Sequence, residues 1–137
     1  MAFSFEDLKV YRDSITFVKE IHVLLNELGK RCPPAIRSQL SRAALSIPLN
    51  IAEGNGRWHK AEKRQYFYIS RGSAYECVAI LQVMARLGLL TDDLMSDFHN
   101  ALTIVSKKLS ALIRSVDELN WNDSTKIEKA LKPSHFN

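Results

Sequence analysis

Arginine and tyrosine take turns along one stretch of this sequence. Arg64, Tyr68, Arg71 and Tyr75 recur at steps of four and three, and Gln82 and Arg86 continue the row after a gap at Ala79, with no acid among them. Guanidinium forks pair with phosphate oxygens, and a phenol ring offers a flat face on which an unpaired base can stack. Between Gly54 and Tyr75 the bases are Arg57, Lys60, Lys63, Arg64 and Arg71 against Glu62 alone, an excess equal to the +4 formal charge of the whole chain. The candidate nucleic-acid contacts are therefore Arg57, Lys60, Lys63, Arg64, Tyr68, Arg71, Tyr75 and Arg86. Trp58, in "GNGRWHK", adds an aromatic to the loop between two basic helix ends. The plainer reading is a solvated helix face, or tyrosines buried between subunits.

A second polar set lies in "RAALSIPLNIAEGNGR", Arg42 to Arg57. On a helical wheel Ile36, Leu40, Ala43, Ala44, Ile47 and Ile51 share one apolar sector. Gln39, Arg42, Ser46, Asn50 and Glu53 fill the neighbouring arc, and Leu45 and Leu49 lie beyond it. An interior proline costs about 3 kcal/mol, because it clashes with the preceding turn and withdraws the donor for the carbonyl four residues back, here Ala44. The stripe keeps its phase across Pro48, so the helix is expected to bend there and continue. Gln39, Arg42, Ser46, Asn50 and Glu53, joined by Glu76 of the next helix, are the expected polar network around Pro48. Buried polar groups that satisfy one another specify a single packing. Apolar surface on both sides of the stripe exceeds what one small core hides, which predicts a subunit interface. The alternative is a stripe that faces water.

Catalytic and metal chemistry find little support. Glu53 and Glu76 are the one candidate carboxylate pair, and Arg42 offers either of them a structural partner instead. "EGNGRWHK" lacks the Gly-Lys-Ser/Thr ending of a phosphate loop. None of His22, His59, His99 and His135 follows a glutamate by three residues, so the Glu-x-x-His ligands of dinuclear helical sites are missing. Cys32 and Cys77 have no metal-ligand spacing, and no cofactor is expected. Cys77 reads as core; Cys32, beside Arg31, is a candidate reactive thiol with no evident histidine partner. Lys107, Lys108 and Arg114 read as exposed cations near a helix end. An enzyme is the weakest class.

Helices must position these residues. The chain is 137 residues long and 46% hydrophobic, enough for one domain with a core. Ser4 is the expected N-cap of a first helix, with Phe3 stapled to Leu8. Its inner face takes Leu8, Tyr11, Ile15, Val18 and Leu25, widened by Phe17, Ile21, Leu24 and Leu28, and Gly29 ends it. A second helix runs from Pro34 to Glu53 and stops at Gly54. A third runs from about Lys60 to Gly88, with Tyr66, Ile69, Ser73, Cys77, Ile80, Met84 and Leu87 inward and the arginine–tyrosine row opposite. Thr91 caps a fourth, whose inner stripe is Phe98, Leu102, Val105, Leu109, Leu112 and Val116. Short connections predict an all-α, antiparallel up-and-down four-helix bundle over residues 1–117. Residues 118–137 form a neutral tail, either frayed or holding one short helix from Ser124 to Lys132. No apolar run approaches the ~18 residues of a membrane span. "MAFSFEDLK" has acids where a secretory signal has lysines, and a cytoplasmic protein with free thiols is expected.

"SQLSRAALSIPLNIAEGNGR" followed by "ISRGSAYECVAILQVMARLGLL" resembles the signature of a four-helix-bundle family encoded in intervening sequences of bacterial 23S rRNA genes, and "FEDLKVYRDSI" extends the likeness to the start. The signature falls on Arg42, Ser46, Pro48, Asn50, Glu53 and Gly54, then on Gly72, Ser73 and Glu76. The resemblance implies a homopentameric ring without catalytic activity. It also implies kinship with accessory proteins of diversity-generating retroelements, which contact nucleic acid and a reverse transcriptase through a basic surface. The chain departs from that pattern in a shorter turn, "GKRCPPAIRSQ", and in the tail beyond Val116. The combined expectation is a self-associating bundle that binds RNA or DNA through the third helix. The competing expectation is a scaffold that recruits a partner protein.

Overall fold

The structure, a computed structural model, describes residues 3–118. The described residues hold four long helices and no strand: α1 Lys9–Leu28, α2 Pro34–Asn55, α3 Lys60–Arg86 and α4 Asp92–Glu118. The short helix expected at Ser124 to Lys132 lies outside them.

Each helix end has a local cause. A 3-10 turn, Ser4–Asp7, precedes α1, and the N–H of Phe3 just before it donates to Glu6 Oε1 at 3.0 Å. Ser4 is not the cap of α1; its hydroxyl accepts from Asn55 Nδ2 at 2.7 Å and ties this turn to the end of α2. Phe5 rather than Phe3 provides the ring that packs on α1, edge-on to Tyr11 at 5.0 Å. Gly29 and Gly88 take φ of 53° and 76° just past α1 and α3, a conformation that side chains with a Cβ resist. Arg37 of α2 donates to the Leu25 and Gly29 carbonyls and so closes the open end of α1. Pro34 opens α2, where a missing N–H costs nothing. Thr91 caps α4 as expected, its hydroxyl accepting from the Leu94 N–H at 3.1 Å.

One core fills the space between the four helices. Phe17 and Ile21, Leu40, Ile47 and Ile51, Leu81 and Met84, and Leu102 and Leu109 are its largest fully buried members. A smaller cluster of Phe67, Ile113 and Val116 closes one end. The α2–α3 packing is the most extensive, α3–α4 comes next, and α1 touches both α2 and α4.

The inner face differs from expectation on two helices. On α1, Val10 and Ser14 are buried while Ile15 is exposed. On α3 the buried residues are Phe67, Ser70, Ala74, Cys77, Leu81 and Met84. Ile69 and Leu87, expected inside, are 44% and 57% exposed. Hydropathy favours large aliphatics, but the close approach of α2 selects small side chains, so Ser70 and Ala74 turn inward. The arginine–tyrosine row consequently lies roughly 120° round α3 from its buried face, beside α4 rather than opposite the core.

The α2 boundary also moves. The helix continues through Gly54 to Asn55, and Gly54 is buried within it. A Cβ at Gly54 would stand 2.7 Å from Phe67 Cε1 and 3.0 Å from Tyr66 Cβ, so the residue serves helix approach rather than termination. Gly54→Ala should therefore destabilise the protein by up to about 2 kcal/mol, an overpacking cost of about 1–3 kcal/mol less the gain of ~1 kcal/mol in helix propensity. Thermal melts check this; an unchanged or raised midpoint would show that the Phe67 ring gives way freely.

Candidate nucleic-acid interface

The seam between α2 and α3 holds much of the polar stripe. Ser70 Oγ, fully buried, donates to the Ile47 carbonyl at 2.9 Å. Asn50 Nδ2 donates to the Ser46 carbonyl at 2.8 Å and to Ser46 Oγ at 2.9 Å, and Ser73 Oγ donates to Ser46 Oγ at 2.8 Å. Gln39 Nε2 donates to Glu76 Oε1 at 2.7 Å nearer the surface. The helix runs on through Pro48, which is itself buried, and the added donors land on the two carbonyls just before it. Arg42 stands apart, donating to Ser38 Oγ on its own helix at 2.8 Å. Glu53 pairs with Arg57 rather than Arg42, at 3.0 Å, and its side chain is 58% exposed. With Glu76 on Gln39 and Glu53 on Arg57, the two carboxylates have separate partners and make no acid–base pair.

The basic residues scatter over several environments. Arg57 sits on the α2 side of the turn, donating to both Glu53 Oε2 and the Tyr66 hydroxyl at 3.0 Å, with its guanidinium 4.9 Å above the Tyr66 ring. The neighbouring Tyr66, and after it Glu53, hold Arg57 above its ordinary pKa. Lys63 donates to the Asn55 carbonyl at 3.0 Å and the Gly54 carbonyl at 3.4 Å, which makes it the cap of α2 rather than a free cation. Burial pulls its pKa below the usual lysine value. Arg64 is ion-paired with Asp117 of α4 at 2.7 Å. Lys60 opens α3 at the same end.

Arg71 is different. Its Nη1 donates to Ser110 Oγ of α4 at 3.1 Å, and its guanidinium lies 5.0 Å from the Tyr68 ring and 5.8 Å from the Tyr75 ring. Both rings remain about half exposed. A cation lodged between two aromatic faces is fixed at little entropic cost when a ligand arrives. Arg86, at the far end of α3, is exposed and makes no hydrogen bond or ion pair among the described residues.

Residues 6–111 match the family model of the 23S rRNA-intervening sequence protein. The chain belongs to that family. A solved structure similar to it comes from the S23 ribosomal protein family of Bacteroides thetaiotaomicron, a protein of unknown function. The two share 24% identity over 76% of this chain and 97% of that one, with a TM-score of 0.71, a likeness of fold. No curated protein matches the chain. The family signature noted in the sequence lies inside the matched residues. Ser46, Gly54, Ser73 and Glu76 of it sit on the α2–α3 seam.

Other members of the arrangement carried weaker signals. Ser70 and Ala74 keep exact helical register with Cys77 and Leu81, which marks them as inward once small residues count as core. Ser110 and Asp117 could be found only by knowing which face of α4 meets α3. The thiols are both buried, and burial first, then Glu76, pushes Cys77 up to about 12. Among the described residues no three His, Cys, Asp or Glu side chains gather as metal ligands, and no helix is long and apolar enough to cross a membrane.

The seam predicts a stability effect. Asn50→Ala removes two side-chain hydrogen bonds and should cost about 1–2 kcal/mol. Denaturant unfolding measures it, and wild-type stability would mean that Asn50 only solvates the helix.

Proposed function

We propose that this protein is a non-enzymatic, cytoplasmic, self-associating antiparallel four-helix bundle that binds nucleic acid, with RNA the favoured ligand. The observation that carries the reading is Arg71, half-buried between Tyr68 and Tyr75 with its guanidinium already positioned. Arg86 extends the surface. Arg64 can join it by exchanging Asp117 for a phosphate, since an exposed ion pair of this kind is worth only ~0–1 kcal/mol.

Self-association has its own support. Ile69, Gly72, Glu76, Ala79 and Val83 are all exposed and follow one another at steps of three and four along α3. A Cβ at Gly72 would meet nothing within 4 Å, so within a single chain this mid-helix glycine spends roughly 0.5–1 kcal/mol without return. A second helix lying close against the strip supplies the return. Leu45 and Leu49 add exposed apolar area on α2. The pentameric ring is the number that the family resemblance implies. A ring would repeat the Arg71 site and multiply weak contacts through effective concentration.

A protein-recruiting scaffold is the second reading, and the same exposed strip favours it. Salt separates the two, because phosphate contacts weaken steeply as salt rises and an apolar interface barely responds. Arg71→Glu combined with Arg86→Glu should abolish RNA retention on a gel-shift or filter assay while leaving the assembly mass unchanged. Undiminished retention would remove this face from consideration. Ile69→Glu combined with Val83→Glu should reduce the mass to that of one chain by light scattering. Were the wild type itself a single chain at micromolar concentration, the strip would need another partner.

A further inference from the structure

Beyond Arg71 the groove between α3 and α4 opens into a hollow of about 440 Å³, within the ~300–1,000 Å³ range of small-ligand sites. Val78 and Leu102 form its floor, and Tyr75, His99, Ser106 and Lys107 stand around it. No carboxylate lines it. The side chains of His99, Ser106 and Lys107 have no hydrogen-bond or ion-pair partner among the described residues. Along α4, His99, Thr103, Ser106 and Ser110 follow at steps of four, three and four, and three of these four are small hydroxyl residues. Larger side chains in their place would close the groove.

An occupant must therefore have apolar faces, a polar edge and a negative charge nearby. We propose that the hollow takes one unpaired base of a single-stranded nucleic acid. Tyr75 is its stacking platform, Ser106 and His99 meet its edge, and Lys107 takes the adjoining phosphate. Arg71, clamped between Tyr68 and Tyr75, holds the platform in place and presents its own charge to the next phosphate along. This rests on the nucleic-acid reading above and narrows it, because a base held in a duplex cannot enter. Lys107, which looks like an ordinary surface cation in the sequence, becomes a ligand contact.

Fluorescence anisotropy of the full chain tests the assignment, using labelled RNA of about 12 unpaired nucleotides, within the site sizes such grooves cover, and a duplex of equal length. The wild type should prefer the single strand. Ser106→Phe fills the hollow without altering charge, and Tyr75→Ala removes the platform. Each should weaken single-strand binding about 5- to 150-fold, the range of one base–aromatic stack. Tyr75→Phe should bind as wild type, and duplex affinity should stay constant in Ser106→Phe. Tyr75 is 54% exposed, so its truncation leaves the core intact even if Ser106→Phe misfolds. Wild-type single-strand affinity in folded Tyr75→Ala overturns the proposal while leaving the Arg71 surface standing. Displacement of the strand by an equal concentration of free adenosine monophosphate would overturn the strand as the source of the base. A wild type that binds neither RNA at any salt removes both readings together.

Discussion

The close approach of α2 and α3 is the constraint on which the rest of this structure depends. At Gly54 the Phe67 ring occupies the space of a missing side chain. At Ser70 a buried hydroxyl reaches the Ile47 carbonyl, next to a proline that has no N–H to offer the turn before it. Both contacts require short side chains and fail if the helices separate. An unpaired buried hydroxyl costs about 1–3 kcal/mol, so a looser seam would lose stability at several points together. Ser46 accepts from Asn50 of its own helix and from Ser73 across the seam. Beside Pro48 the neighbouring helix supplies one backbone-directed donor, the Ser70 hydroxyl on the Ile47 carbonyl.

The seam also decides what the outside of α3 looks like. With Ser70 and Ala74 pinned against α2, the rotation of α3 is fixed, and Tyr68, Arg71 and Tyr75 must emerge on the side of α4. There Ser110 meets Arg71, and the Asp117 carboxylate meets Arg64 of the same row. Ile69 and Val83 then have no place inside and become surface. One packing choice at the centre thus determines a basic groove on one flank and an apolar strip beside it.

Much of this was legible in the residues, and the gaps have physical causes. Helix number and most helix ends followed from Gly29, Pro34, Gly88 and Thr91, because caps and breakers act locally. The continuity of α2 through Pro48 followed from the unbroken phase of Ser46, Asn50 and Glu53. The rotation of α3 did not follow, because ranking residues by hydropathy placed Ile69 and Leu87 inward over Ser70 and Ala74. Nor did the state of the charges. Counting bases from Gly54 to Tyr75 treats each as independent, whereas Arg57 finds Glu53 just before the segment and Arg64 finds Asp117 on another helix. Lys63 is drawn onto backbone carbonyls, a sink no charge count includes.

The pairing of basic residues does not weaken the case for an anionic ligand evenly. Arg57 and Lys63 are bound into the end of α2, where releasing them would free helix carbonyls or a tyrosine hydroxyl from their partners. Arg64 and Arg71 are held by α4 side chains at the rim of a groove, and a phosphate can replace Asp117 there without uncovering any buried group. The difference separates cations that stabilise the fold from cations that remain available. By that criterion the available charge lies along the α3–α4 groove and not at the turn between α2 and α3, although the turn is where the sequence concentrates its lysines and arginines.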